Sequence, residues 1–288
     1  FGSGNGRFEL NSHFNRKLTD RLHLGLYLHG NQRKEKFDKN EDGFLDQPLA
    51  QQINIMNRWQ YSNLQKGLIS FLNVRYLTDE KQSGQLDFDP ETDRLSNTVW
   101  GSEIATKRFE VSAKFGYVNP EIPYQSLGFQ MSYSDHDQTS YFGLNQYVIR
   151  HKSVYSNLVY NSIISDSRHK IKTGLNATYD DYNERVDLDL YDRSERSIGG
   201  FFEYSFDNLE ALNLTAGIRI DHHNLLGTFI TPRVHARYTP WEKSALRVSF
   251  GRGKRAANIF AENQKLFATS RAINIQSTGG NVYGLDPE

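Results

Sequence analysis

Residues alternate between apolar and polar over most of this chain, and a period of two admits β-strands while leaving little room for helices. In Arg21-Leu22-His23-Leu24-Gly25-Leu26-Tyr27-Leu28-His29, four leucines fall on one face and polar or small residues on the other. Leu212, Leu214, Ala216, Ile218 and Ile220 alternate in the same way with Asn213, Thr215, Gly217, Arg219 and Asp221. Ile171, Thr173, Leu175, Ala177 and Tyr179 oppose Lys170, Lys172, Gly174, Asn176 and Thr178, and Leu246, Val248 and Phe250 oppose Ala245, Arg247 and Ser249. Alternation alone fits a soluble sandwich, whose apolar face is the core, as well as a barrel, whose apolar face meets lipid.

Strand length separates the two, since globular strands run about 5 to 6 residues and membrane strands about 9 to 11. The expected segments are 6–16, 21–33, 51–61, 67–77, 99–116, 125–135, 143–162, 169–182, 195–206, 211–221, 229–239 and 244–251, about twelve in all. Short turns are expected at 17–20, 63–66, 119–123, 165–168, 207–210 and 240–243. Longer polar links alternate with them at 34–50, 78–98, 136–142, 183–194, 222–228 and from 252 onward. Short turns on one side and long loops on the other are the rhythm of outer-membrane barrels, which a Greek-key sandwich does not keep. Aromatics near the expected strand ends (Trp59, Tyr61, Tyr76, Trp100, Tyr117, Tyr124, Tyr179, Tyr182, Tyr204, Phe206, Tyr238 and Trp241) fit interfacial girdles.

Composition agrees with this pattern. A mean hydropathy of -0.67 suits a strand that shows lipid only every second residue. No apolar run reaches the roughly 18 residues of a membrane helix. Lys+Arg and Asp+Glu both number 34, which offers no basic surface for nucleic acid. With no Cys, disulfides and thiolate metal sites are excluded. The chain opens at Phe1 without a signal peptide and stops at Leu285-Asp286-Pro287-Glu288, so it is expected to be part of a longer protein.

The last third contains Ile198-Gly199-Gly200-Phe201-Phe202-Glu203-Tyr204, Ala216-Gly217-Ile218-Arg219-Ile220-Asp221-His222-His223-Asn224 and Thr231-Pro232-Arg233. These segments resemble TonB-dependent outer-membrane receptors. The run from Leu246 through Arg255 to Ala261-Glu262-Asn263, and the closing Leu285-Asp286-Pro287-Glu288, resemble the same family. The likeness is to the vitamin-B12 and siderophore receptor branch of Bacteroidetes type. The resemblance implies an all-β, antiparallel up-and-down transmembrane barrel, of which residues 1–288 supply the central part. The plug domain, the TonB box and the C-terminal strands would lie elsewhere in the full protein. It further implies a bacterial outer-membrane location, contact with lipid and lipopolysaccharide, and uptake of a metal chelate or corrinoid driven by TonB. A passive porin or adhesin-type barrel and a soluble β-rich glycan-binding module are the alternatives.

Few constellations suggest chemistry. Asp38, Asn40, Asp42 and Asp46, with Gly43 to turn the backbone, have the short oxygen spacing of a Ca²⁺ loop. The twelfth position is Leu49 rather than Glu, so the match to an EF-hand is incomplete, and an acidic solvated turn is the plainer reading. His222, His223, Arg252 and Arg255 are candidates for contact with ligand, although adjacent His residues on a strand point to opposite faces. His13, His23, His29 and His235 fall on the polar face as lumen filling. The charges of 183–194 are read as a solvated loop. No nucleophile elbow, paired catalytic carboxylates or dinucleotide fingerprint is present, so no enzyme is expected and no cofactor is required beyond the candidate Ca²⁺.

Overall fold

The computed structural model describes residues 2–4, 6–96, 98–208 and 210–275, which leaves the Leu285–Glu288 motif outside the described residues. A 14-stranded antiparallel sheet dominates it, with strands following one another in sequence order. The strands are β1 (Gly2–Gly4), β2 (Arg7–Lys17), β3 (Leu22–Arg33), β4 (Leu49–Asn63), β5 (Leu68–Gly84), β6 (Gly101–Val118) and β7 (Ser126–Phe142). They continue with β8 (Asn145–Ile164), β9 (Asp166–Val186), β10 (Asp189–Leu190), β11 (Arg193–Asp207), β12 (Leu212–His223), β13 (Gly227–Tyr238) and β14 (Leu246–Gly251). β10 pairs only with β9, which pairs onward with β11. A single helical turn, α1 (Ile259–Glu262), and a 3-10 turn at Gln264–Leu266 follow β14. Among the described residues no helix is long and apolar enough to cross a membrane.

Each of the twelve expected segments is one of the strands β2–β9 and β11–β14, although β14 has only 6 residues, and the up-and-down order is as expected. The link lengths are corrected. Residues 136–142 belong to β7, which runs to Phe142 and meets β8 at Asn145. β9 runs to Val186, and the link after β12 shrinks to 224–226. On this side the strands continue past the point where their outward face stops being apolar. Polar residues pair there as a ladder just as well, so the end of the apolar alternation is not the end of the strand.

Register shows where the apolar face lies. Cross-strand partners carry it from Leu72 to Ala113 and Met131, and from Leu158 to Leu175, Gly200 and Ile220. The apolar positions fill 53–61 on β4, 68–76 on β5, 109–117 on β6, 171–179 on β9, 198–206 on β11, 212–220 on β12 and 230–238 on β13. Those bands match the about 9 to 11 residues that a tilted strand needs to cross a bilayer. No outward position within them is charged. Just beyond, Asp135 faces Lys152, and Asp137 faces Arg150. Aromatics close the bands at Trp59, Tyr61, Tyr76, Tyr117, Tyr179, Tyr204, Phe206 and Tyr238. Two girdle expectations are corrected: Tyr182 faces the polar side, and Trp100 packs against a small buried core.

The short turns share a local device. A side-chain oxygen at the turn's start takes up free backbone amides, as Thr19 does for Arg21 and Leu22, and Asn119 for Glu121 and Ile122. Asn208 accepts from Glu210, Ala211 and Leu212, and Asn63 from Lys66. Such side chains offer the backbone the partner that the ladder no longer provides. After Asn63 the chain needs a left-handed residue, Gly67 at φ +66°, where a Cβ would lie 1.8 Å from the Val118 carbonyl oxygen.

Replacing Gly67 by Ala is expected to cost at least about 1–3 kcal/mol in equilibrium unfolding, the ordinary cost of a left-handed non-glycine residue. Gly128→Ala, whose added Cβ meets only the Val159 oxygen at 4.0 Å, is expected to leave the midpoint nearly unchanged.

Candidate functional site

The polar face is uneven, and its loop end is the most tightly built part of the molecule. There Tyr147 and Ile149 of β8, Phe142 of β7 and Val186 of β9 are buried beneath Phe260 and Phe267 of the segment that follows β14. Tyr147 stacks on Phe267 at 5.8 Å and lies 6.3 Å from Phe260. Asn145 fastens the same segment: its amide donates to the Arg271 carbonyl at 3.0 Å, and its carbonyl accepts from the Ile273 amide at 2.8 Å. The Trp100 indole N–H donates to the Thr269 carbonyl at 3.1 Å. Residues 258–273 thus form a strap across the polar face, from the β14 edge back to β6 and β8.

Under the strap lies a charged cluster. The Arg193 guanidinium donates to Glu184 at 2.6 Å and to Glu195 at 2.8 Å, and it sits 3.7 Å above the Tyr182 ring. On the other side of Tyr182 the His151 ring stacks at 4.1 Å, nearly parallel, with its Nε2 2.8 Å from Asp180. Glu184 also accepts from the Tyr147 hydroxyl at 2.8 Å and from the Asn258 amide of the strap at 3.0 Å. His223 Nε2 stands 3.5 Å from Glu195. Side chains of Arg193 and Glu184 are 2% and 0% exposed, so water does not solvate this pair. The surrounding hydrogen bonds supply what hydration would otherwise provide.

Farther from the loops, the polar face opens into a cavity of about 490 Å³ lined by Lys172, Glu203, Arg219, Arg233 and Arg252, with Tyr155 and Asn157 on its β8 side. Lys172 stands 3.5 Å from Glu203, which Arg233 also contacts. Arg219 makes a two-pronged bond to Asp221 at 2.7 and 2.8 Å. Gly199 leaves room for this pair, because a Cβ there would fall 2.0 Å from an Asp221 oxygen. Four cations against the carboxylates Glu203 and Asp221 leave the wall with an excess of positive charge, suited to an anion with several oxygen acceptors.

The candidate residues from the sequence divide among these surroundings. Arg252 lines the cationic cavity. Arg255 is turned away into a two-pronged pair with Glu262 at 2.6 and 2.9 Å. That pair, followed by a hydrogen bond from the Asn258 amide, holds the Glu262 carboxyl below its ordinary range. His223 enters the buried cluster, whereas His222 points to the apolar side and bonds Thr228 at 2.9 Å. Asp38, Asn40, Asp42 and Asp46 share one turn, where their oxygens serve the loop itself. Asp38 accepts from the Asp42 and Gly43 amides, Asp42 from Phe44 and from the Asn40 side chain, and Asp46 from Lys39. Among the described residues no group of three or more His, Cys, Asp or Glu side chains is placed to hold a metal ion. The solvated-loop reading of 183–194 is corrected, since Glu184 and Arg193 are among the least exposed charges. An alternation of Asp180, Tyr182 and Glu184 with charges at Arg193 and Glu195 was available as a signal, but only register joins the two strands.

Comparison with known proteins adds the following. A family model described as TonB dependent receptor-like, beta-barrel matches residues 5–288. No curated protein matches. Among solved structures the alcaligin outer membrane receptor FauA from Bordetella pertussis is similar with a TM-score of 0.66 at 11% identity, over 85% of this chain and 41% of that one. The siderophore receptor PirA from Acinetobacter baumannii gives 0.66 at 12% identity, over 85% and 40%. The copper transporter OprC gives 0.66 at 13%, over 86% and 43%. At such identities the likeness concerns the fold alone, and this chain spans less than half the length of each of these structures.

Arg193→Met is expected to destabilise the fold by about 3–5 kcal/mol in denaturant titration, because it strips the guanidinium from a buried carboxylate. Adding Glu184→Met should recover much of that loss. The lowered Glu262 pKa makes the stabilisation by Arg255 present above the ordinary glutamate value and lost as pH falls through the lowered one. The Ala261 and Glu262 amides should therefore stay protected from hydrogen exchange at about pH 6 and lose protection only once the pH falls below the ordinary glutamate range.

Proposed function

We propose that this chain, which belongs to the TonB-dependent receptor-like β-barrel family, forms part of the wall of an outer-membrane receptor for energised uptake of an anionic metal chelate. The observation that carries the ligand class is the cationic cavity of Lys172, Arg219, Arg233 and Arg252. The uncharged bands of about nine residues, edged by aromatics, support the membrane location. Similarity to a receptor named for alcaligin, to a siderophore receptor and to a copper transporter is consistent with a metal-bearing cargo. In this reading the barrel wall orients ligand and no bond is made or broken. The plug and its TonB contact belong to the rest of the receptor.

Binding and uptake by the full-length receptor test this proposal. With a radiolabelled ferric chelate of net negative charge, uptake should require the proton gradient. Arg219→Gln with Arg252→Gln should weaken chelate binding about tenfold or more, as expected for the loss of charge-assisted hydrogen bonds. Unchanged binding would overturn the assignment of the cavity, a preference for a corrinoid would replace the chelate, and gradient-independent entry would favour a passive porin. For the membrane location, Leu72→Lys at the middle of its band should destabilise the barrel in vesicles by about 2–4 kcal/mol. A chain equally stable with that lysine would not be spanning lipid.

A further inference from the structure

The two carboxylates at the cationic cavity are set differently. Asp221 gives both oxygens to Arg219. Glu203 divides its oxygens between two strands: Oε1 lies 3.5 Å from the Lys172 ammonium, and Oε2 accepts from the Arg233 guanidinium. Lys172, Glu203, Gly217 and Arg233 form one cross-strand row on the polar face, from β9 through β11 and β12 to β13. Arg233 therefore reaches past a whole strand to meet Glu203, and Gly217 leaves the room. A Cβ at Gly217 would lie 3.3 Å from both Cγ and Nε of Arg233, so the arginine lies flat along the wall. The Glu203 side chain is 10% exposed, whereas those of Lys172 and Arg233 are 45% and 63% exposed. The carboxylate thus sits behind the two cations, which face the open side that cargo enters.

A cation that already faces a carboxylate offers an arriving anion less than a free one would. It must exchange one negative partner for another, and the fixed charge of Glu203 repels the newcomer at short range. That competition grows with the charge of the cargo and vanishes for an uncharged one. We propose that Glu203 is an internal counter-anion that competes with cargo for Lys172 and Arg233. It is a specificity-determining residue that loosens the grip on anions and sets how far the cavity favours those of higher charge. The inference rests on the anion reading of the cavity given above.

Titration of the full-length receptor with two ferric chelates tests this, one a trianionic tris-catecholate and the other an uncharged tris-hydroxamate. The unaltered receptor should prefer the trianion. Glu203→Gln keeps the shape of the side chain and an acceptor for Arg233 but removes the charge, and should tighten trianion binding about tenfold. The tightening should be confined to the charged chelate. Adding Arg233→Gln restores the net charge and should bring the affinity back near that of the unaltered receptor. Should Glu203→Gln fail to fold, Arg233→Gln with and without Glu203→Gln makes the comparison with the guanidinium gone, and loss of the carboxylate should again tighten binding. Weaker or unchanged trianion binding on loss of the carboxylate would overturn the proposal and make Glu203 a clamp for Arg233. Equal tightening for both chelates would overturn it as well, since charge would not be the cause. An unaltered receptor that holds the two chelates equally would strike the anion reading and this inference together. A trianion that binds as expected but enters cells without the proton gradient would strike the uptake reading alone.

Discussion

The antiparallel ladder that joins each strand to its sequence neighbours is the constraint on which everything else depends. A two-faced strand can satisfy its amides and carbonyls only sideways, and where lipid covers one face no water is present to help. From β2 to β9 every strand pairs with the next, so that need is met by the shortest connections available. The same ladder sets register, and register decides which side chains share a face. The uncharged bands and the polar wall are thus two results of one pairing pattern.

Against that regular sheet, the strap stands out as the irregular part. Residues 258–273 have little repeating hydrogen bonding of their own and depend on the wall for partners. Phe260 and Phe267 bring apolar burial, and Asn145, Trp100 and Glu184 accept or donate at chosen points. Beneath it, Glu184 and Arg193 are held by neighbours that replace hydration. Removing any one charged partner leaves charge in a place water cannot reach, which is why this end of the wall depends on its full set of contacts. The open cationic cavity lacks such a cover, and its Arg233 and Arg219 side chains remain accessible at 63% and 41%. The wall therefore pairs a covered end with an accessible, positively charged middle.

Local chemistry made some features legible from the sequence. The twelve long strands follow from alternation, and the tight turns from Thr19, Asn63, Asn119 and Asn208, whose side chains act within a few residues. That His222 and His223 part company follows from the period of two. Other features were hidden because they depend on distance along the chain. Polar strand extensions such as 136–142 look like loops, since a ladder outside the apolar band needs no apolar signal. Charges in 183–194 look solvated for the same reason, and only the pairing of β9 with β11 sets Arg193 beside Tyr182.

By itself, the sequence determined that this protein is built of long two-faced strands in an up-and-down order, because a period of two and side-chain-capped turns are local properties. The tertiary structure alone decided which polar residues meet. It sent Arg252 to the cationic cavity and Arg255 to Glu262, drew His223 into a buried cluster, and set glutamines and glutamates from four strands around one outward cleft. The physical reason is that register converts a one-residue difference in position into a choice of face, and no local pattern records the offset between strands.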